Sequence, residues 1–152
     1  MTKVCLGGTF NVLHEGHEAL IGRACQEGDE IFIGLTSDAM ASSSRNAKVN
    51  PYATRMRHLA EAVERICPEK DFDIREINDA MGPAATGDYD VIVVSNETVP
   101  GAERINRARV LAGLKPLRIS IVEMVLDSNG QKVSATSLVS KLPAPKGTGV
   151  NV

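Results

Sequence analysis

Five short apolar runs, at 4–6, 31–35, 74–77, 91–94 and 117–125, recur along this chain with amphipathic stretches between them. Ile31-Phe32-Ile33 and Val91-Ile92-Val93-Val94 are continuously apolar rather than alternating. A strand needs that pattern only when both of its faces are covered, which is the situation of a parallel strand beneath crossover helices. Most architectures are thereby removed. What remains is an α/β chain with helices on the two faces of a mostly parallel sheet.

The stretches between the runs fit that role. Residues 15–26 carry Ala19, Leu20 and Ala24 on one side, and residues 51–67 carry Met56, Leu59, Ala60, Val63 and Cys67 at helical spacing, with Pro51 suited to a first turn. Arg57, Glu61 and Arg65 stand four apart on the opposite face, read as a solvated row able to pair. A further helix is expected over 100–112, stopped by Gly113 with Pro116 just beyond. The order is then β-α-β-α-β-β-α-β-α, and the predicted fold is a Rossmann-like, doubly wound, mostly parallel five-stranded sheet in a single domain. Asp127-Ser128-Asn129-Gly130 signals a tight turn, and Ser134 or Thr136 is the expected N-cap of a short last helix. The domain is assigned to 1–142, and 143–152, with its Pro, Gly and Lys, is read as a flexible tail.

At 152 residues, 43% of them hydrophobic, the chain can bury one ordinary core and no second domain is expected. Its formal net charge of -2 argues against a nucleic-acid partner, since such binders show a basic excess or stripe. Cys5, Cys25 and Cys67 are odd in number and form no CxxC pair, so neither a disulfide framework nor a zinc ribbon is expected, and the predicted compartment is the cytoplasm. The first apolar run is broken by Gly7-Gly8 too early for a signal peptide or a membrane span, so no membrane partner is expected. The residues leave the oligomeric state open, with a monomer the reading taken.

Chemistry concentrates where the first strand ends, in Gly7-Gly8-Thr9-Phe10-Asn11-Val12-Leu13-His14-Glu15-Gly16-His17. Ligands of open α/β sheets bind beyond the carboxyl ends of the strands, and a helix N-terminus offers N–H groups and positive partial charge to a phosphate. Gly7, Gly8 and Gly16 are expected to let backbone approach such an anion. The chain has no GxGxxG, no GxxxxGK[ST] and no GxSxG, so hydride-transfer, P-loop and nucleophile-elbow chemistries lose ground. His14 and His17 remain as donors to phosphate oxygens, neutral or charged. Competing readings are a metal pair, which would need another close ligand, or plain surface residues. Glu15 is read as a charge favoured at a helix start, and His58 as part of a polar helix face.

With these residues in view the chain resembles the nucleotidylyltransferases with a (H/T)xGH signature, and among them the archaeal and eukaryotic type of phosphopantetheine adenylyltransferase. That family's GGTFDxLHxGH loop matches 7–17 with Asn11 in place of its usual Asp. Gly34-Leu35-Thr36-Ser37-Asp38 resembles its second strand end. Val93-Val94-Ser95-Asn96-Glu97-Thr98 with Ala102, Ile105-Asn106 and Arg109 resembles its VVSxET…A…IN…R block, and Gly113-Leu114-Lys115-Pro116-Leu117 its continuation. The likeness runs to about Thr136. It departs at the family's ISSTRIR signature, read here as Val133-Ser134-Ala135-Thr136-Ser137-Leu138-Val139, where Ser137 replaces an arginine. Lys132, Arg104 or Arg107 are the cations available to supply that charge.

What the resemblance implies is AMP transfer from ATP to 4'-phosphopantetheine, giving dephospho-CoA and pyrophosphate, with Mg2+ on the triphosphate. On that reading His14 and His17 donate to phosphate oxygens, Thr9 and the Phe10 backbone hold the acceptor phosphate, and Ser134 and Thr136 hold β- and γ-oxygens. Asn96, Glu97 and Thr98 would lie beside adenine and ribose, with helix capping the other reading of Thr98. Arg45 and Lys48, in the polar loop 41–50, are candidates for the acceptor, Lys48 as the neutralising charge or else a solvated lysine. Rivals are a nucleotidyltransferase acting on FMN or a polyol phosphate, and a nucleotide-binding regulatory module without turnover.

Overall fold

The computed structural model describes residues 1–43, 49–79, 81–123, 125–126 and 132–133. Its elements are β1 (Lys3–Gly8), α1 (Glu15–Glu27), β2 (Glu30–Thr36), α2 (Asp38–Ser43), α3 (Tyr52–Ile66), β3 (Asp71–Ile77), a 3-10 turn (Gly82–Ala85), β4 (Val91–Ser95), α4 (Val99–Leu111), β5 (Arg118–Val122), β6 (Val125–Leu126) and β7 (Lys132–Val133). The first five strands form one sheet in the order β3-β2-β1-β4-β5, every neighbouring pair parallel. The chain winds outward from β1 through β2 to β3, then returns to the other side of β1 for β4 and β5. The order therefore reverses between β1 and β4, the place where such sheets open a crevice. The expected Rossmann-like α/β fold is what forms.

Continuous apolarity has the anticipated cause. All five residues of β4 are buried, and α1 and α3 cover one face of the sheet through Ala19, Ile21, Ala24, Leu59 and Val63. On the opposite face Ala102 and Ile105 of α4 and Ala84 of the 3-10 turn pack on Cys5, Ile92 and Val94. Gly113 ends α4 with φ of +82°, a conformation glycine adopts without a Cβ penalty. Among the described residues no helix is long and apolar enough to cross a membrane.

Four expectations need correction. Residues 38–43 form α2 at the start of the segment read as loop, because Ser37 caps it, its Oγ accepting the N–H of Met40 at 3.2 Å. The buried stripe of α3 is rotated: Met56 is exposed and Arg55 is fully buried in its place. The last sheet strand stops at Val122, and residues 125–126 pair instead with 132–133 in a separate antiparallel ladder. The turn, the short last helix and the tail expected after it lie outside the described residues. Finally, Cys25 and Cys67 form a disulfide across 42 residues, tying the later part of α1 to the end of α3. Their spacing carried no sign of it, because the two cysteines meet only once both helices lie on one face of the sheet.

Candidate functional site

β1 gives out at Gly7-Gly8, and the chain turns through Thr9 and Phe10 toward α1. A side chain at Gly8 would place its Cβ 3.1 Å from the Phe10 ring. Phe10 has φ of +47°, the only positive value at a non-glycine among the described residues. That conformation costs on the order of 1–2 kcal/mol and persists only where the surroundings enforce it. Here they do, since the ring is buried and lies 5.1 Å from the ring of His17.

His14 is the N-cap of α1. Its Nδ1 accepts the N–H of Gly16 at 2.9 Å and takes the N–H of His17 as well, while His17 Nδ1 accepts the N–H of His14 at 3.3 Å. This is the reciprocal arrangement of a capping box built from two imidazoles. It corrects the expectation of free N–H groups at this helix start: those of Gly16 and His17 are engaged inward, and Gly16 is buried away from the cavity wall. A neutral imidazole that accepts through Nδ1 carries its proton on Nε2. Both rings, stacked with centroids 3.9 Å apart, line the cavity above the loop.

That cavity, about 460 Å³, opens over the carboxyl ends of β1 and β4 at the switch point of the sheet. Gly7, Gly8, Thr9, Phe10, His14 and His17 form its floor. Its lining includes the polar Ser95, Glu97, Thr98 and Arg104 from β4, α4 and the loop between them, and the apolar Phe32, Met40, Ile77, Met81 and Pro83 from the side of β2 and β3. Of the exit-loop trio expected here, Glu97 and Thr98 reach the wall, and Asn96 is exposed outside it. Thr98 makes no side-chain cap to α4; its Oγ1 accepts the Ser95 N–H at 3.1 Å and donates to the Ser95 carbonyl at 3.2 Å. Arg104 lines the cavity, and Arg107 does not.

Two buried arginines shape the walls, and both are structural surprises. Arg109 donates to the carbonyls of Ala84, Gly87 and Lys115 at 2.7–2.9 Å, and Asn106 exchanges two hydrogen bonds with the backbone of Leu117. Arg55 sends Nε to the Asn50 carbonyl at 2.7 Å, Nη1 to the carbonyls of Thr9 at 3.1 Å and Thr36 at 2.9 Å, and Nη2 to Asp38 Oδ1 at 2.9 Å. Asn50 in turn donates its N–H to Asn11 Oδ1 at 2.8 Å and its Nδ2 to the Asn11 carbonyl at 3.3 Å. Asn11 thus supplies the acceptor that an aspartate would. Sequence reasoning missed Arg55; the available signal was an arginine at 55 in register with Leu59, Ala62 and Val63.

The chain matches the cytidylyltransferase-like family model over residues 5–141. The chain belongs to the cytidylyltransferase-like family. It is similar to the phosphopantetheine adenylyltransferase of Pyrobaculum aerophilum, 40% identical over 95% of this chain and 94% of that one. It is also similar to the phosphopantetheine adenylyltransferase of Methanosarcina acetivorans, 41% identical over 91% of this chain and 89% of the relative. Among solved structures, a protein of unknown function from Archaeoglobus fulgidus superposes with a TM-score of 0.71 at 37% identity, covering 80% of this chain and 89% of that chain.

In this cytidylyltransferase-like chain the structure brings together Gly7, Gly8, Thr9, Phe10, His14, His17, Glu97 and Thr98 around one cavity. Arg45, Lys48, Ser134, Thr136 and Ser137 lie outside the described residues. Among those described, no three His, Cys, Asp or Glu side chains group in a way that could hold a metal ion. The donors the floor offers are imidazole N–H groups and a hydroxyl, a chemistry suited to an anion.

Proposed function

We propose that this chain is a phosphopantetheine adenylyltransferase, transferring AMP from ATP to 4'-phosphopantetheine to give dephospho-CoA and pyrophosphate in coenzyme A biosynthesis. The observation that carries the reading is the stacked His14–His17 pair, whose Nδ1 atoms both accept from the backbone, so that each neutral ring carries its N–H at Nε2, and both rings line the cavity. The relatives' names supply the acceptor.

Adenylyl transfer needs the acceptor oxygen, the α-phosphorus and the leaving pyrophosphate in line, and the protein contributes position and fixed dipoles rather than covalent chemistry. His17 and His14 donate to phosphate oxygens as charge grows on them. Thr9 and the backbone of Phe10 hold the acceptor phosphate. Ser95, Glu97, Thr98 and Arg104 suit adenosine and the phosphates, and Phe32, Met40, Ile77, Met81 and Pro83 suit the neutral, flexible arm of the acceptor. Lys48 and Arg45 toward the acceptor, and Ser134 and Thr136 toward the triphosphate, are assigned from sequence alone. Magnesium would arrive with the triphosphate and offset its charge. The floor's own donors are imidazoles and hydroxyls, so nucleotide oxygens and water would be its ligands. We place the enzyme in the cytoplasm, with no nucleic-acid or membrane partner.

The test is one incubation with MgATP and, separately, 4'-phosphopantetheine, FMN and glycerol phosphate, scoring pyrophosphate and the mass of the adenylylated product. Dephospho-CoA is the expected product. Faster adenylylation of FMN, or ATP binding without turnover on any acceptor, would overturn the assignment.

A further inference from the structure

Arg55 reaches the cavity floor through two hydroxyls. Its Nη1 lies 3.3 Å from Thr36 Oγ1, and Thr36 Oγ1 donates to Thr9 Oγ1 at 3.0 Å. A guanidinium has five N–H donors and nothing that accepts. Thr36 Oγ1 must therefore receive at the arginine end, and its single proton is sent on to Thr9. Thr9 Oγ1 is then an acceptor in that bond, so its own proton has to leave in another direction. Among the described residues none takes it, and Thr9 lines the cavity.

We infer that Arg55 is a positioning residue that fixes the proton order of the Thr36–Thr9 pair, so that Thr9 presents a permanently oriented O–H to a phosphate oxygen in the cavity. The inference rests on the proposed function for the identity of that phosphate, the acceptor's, though not for its charge. Two hydroxyls without such an anchor can exchange donor and acceptor roles, and in the exchanged order the Thr9 proton is spent on Thr36 and not on the anion. In the swapped order Thr36 Oγ1 would accept from both Thr9 and Arg55, and its own proton would need a third partner that none of the described residues supplies. The same guanidinium nitrogen grips the carbonyl of Thr9 at 3.1 Å, so it fixes both the backbone and the hydroxyl of one residue. A chain of hydrogen bonds that starts on a cation is strengthened along its length. The role is open only to an arginine that is itself immobile, and Arg55 is wholly buried with its other donors committed to Asn50, Thr36 and Asp38.

Because replacing Arg55 removes five contacts and can unfold the chain, the decisive variants are at the middle of the relay. Thr36→Val deletes the hydroxyl and keeps the Thr36 carbonyl that Arg55 also holds; Thr36→Ser keeps both. Inorganic phosphate is titrated into the wild type, Thr36→Val, Thr36→Ser, Thr9→Val and the Thr9/Thr36 double valine variant, following the amides of Thr9 and Phe10 by NMR. The expected result is a loss of about five- to tenfold in phosphate affinity for each single valine variant. The double variant should lose no more than either, and Thr36→Ser should bind like the wild type. Losses that multiply in the double variant, undiminished binding by Thr36→Val, or no phosphate binding at this floor by the wild type would overturn the inference. Adenylylation of 4'-phosphopantetheine by the same samples reports separately on the proposed function. If phosphate affinity follows the relay and that acceptor is not used, the relay stands and the enzyme assignment falls.

Discussion

His17 Nδ1 accepts the backbone N–H of His14 at 3.3 Å, and the two imidazoles stack with their centroids 3.9 Å apart. Each ring is thus an acceptor on the side of the helix and, when neutral, a donor on the other. The pair converts the inward-facing demand of a helix start into outward-facing donors.

His17→Ala should therefore lower the catalytic constant by about 10²- to 10³-fold, the usual cost of one preorganised donor at an oxygen whose charge grows in the transition state. The ATP dissociation constant should move much less. His14→Ala should affect both, and should also lose a helix cap, costing about 1 kcal/mol. His14→Asn separates the two roles, because asparagine caps well: the melting temperature should recover and the turnover should not. Equal turnover in His17→Ala and wild type would remove this ring from the chemistry.

Arg109→Met should strand the carbonyls of Ala84, Gly87 and Lys115 and destabilise the chain by roughly 2–4 kcal/mol. The measurement is urea unfolding, where a lower midpoint with an unchanged slope is expected. An unaltered midpoint would mean that these carbonyls find water at no cost.

That arginine shows what the sequence could and could not tell. Ala102, Ile105, Asn106 and Arg109 stand out as a pattern, yet they pack α4 on the sheet and hold the 3-10 turn; the pattern is specific because a buried network has few solutions. The parallel strands were legible because burial on both faces demands continuous apolarity, and the site loop because glycines, a strand end and two histidines share eleven residues. Arg55 was illegible for the opposite reason. Hydrophobic periodicity treats every charge as solvent-facing, so a helix stripe containing a satisfied guanidinium is read one residue out of phase. Capping by His14 was hidden likewise, since imidazole is not among the usual capping side chains.

The Cys25–Cys67 disulfide closes a loop of 42 residues, a length for which loss of unfolded-state entropy stabilises by about 4 kcal/mol at most. Reduction should lower the melting temperature by around 10 °C for a chain of this size. Cys67→Ser should melt where the reduced wild type does and respond no further to reductant. Cys5 should stay unreactive in the folded protein throughout, because burial, only partly opposed by the charge of Arg109, pushes its thiol up to about 12. A melting temperature indifferent to reductant would mean that the two helices gain nothing from the link.

The acid limb of stability should belong in large part to Glu27, at the end of α1. Burial alone would raise its carboxyl, and is the largest single influence. The hydrogen bonds from Arg118 and Ser120, with the charges of Arg118 and Arg23, together outweigh it and hold the group below the ordinary glutamate value. Ser120 Oγ donates to Glu27 Oε2 at 2.7 Å, so β5 and α1 are joined through this carboxylate. A group depressed in the folded state binds its proton more readily once unfolded. Its stabilisation is therefore complete above the unfolded value, about 4.3, and is lost as pH falls through the lower folded value. Asp90, held down first by the N–H of Lys3 at 2.8 Å, acts in the same direction. The melting temperature should accordingly be flat down to about pH 5 and decline below it. Glu27→Gln keeps an acceptor for Ser120 but cannot titrate, so it should start lower at pH 7 and fall less steeply toward pH 3. Parallel melting curves for the two proteins across that range would show that the acid sensitivity lies elsewhere, with Asp90→Asn the next variant to compare.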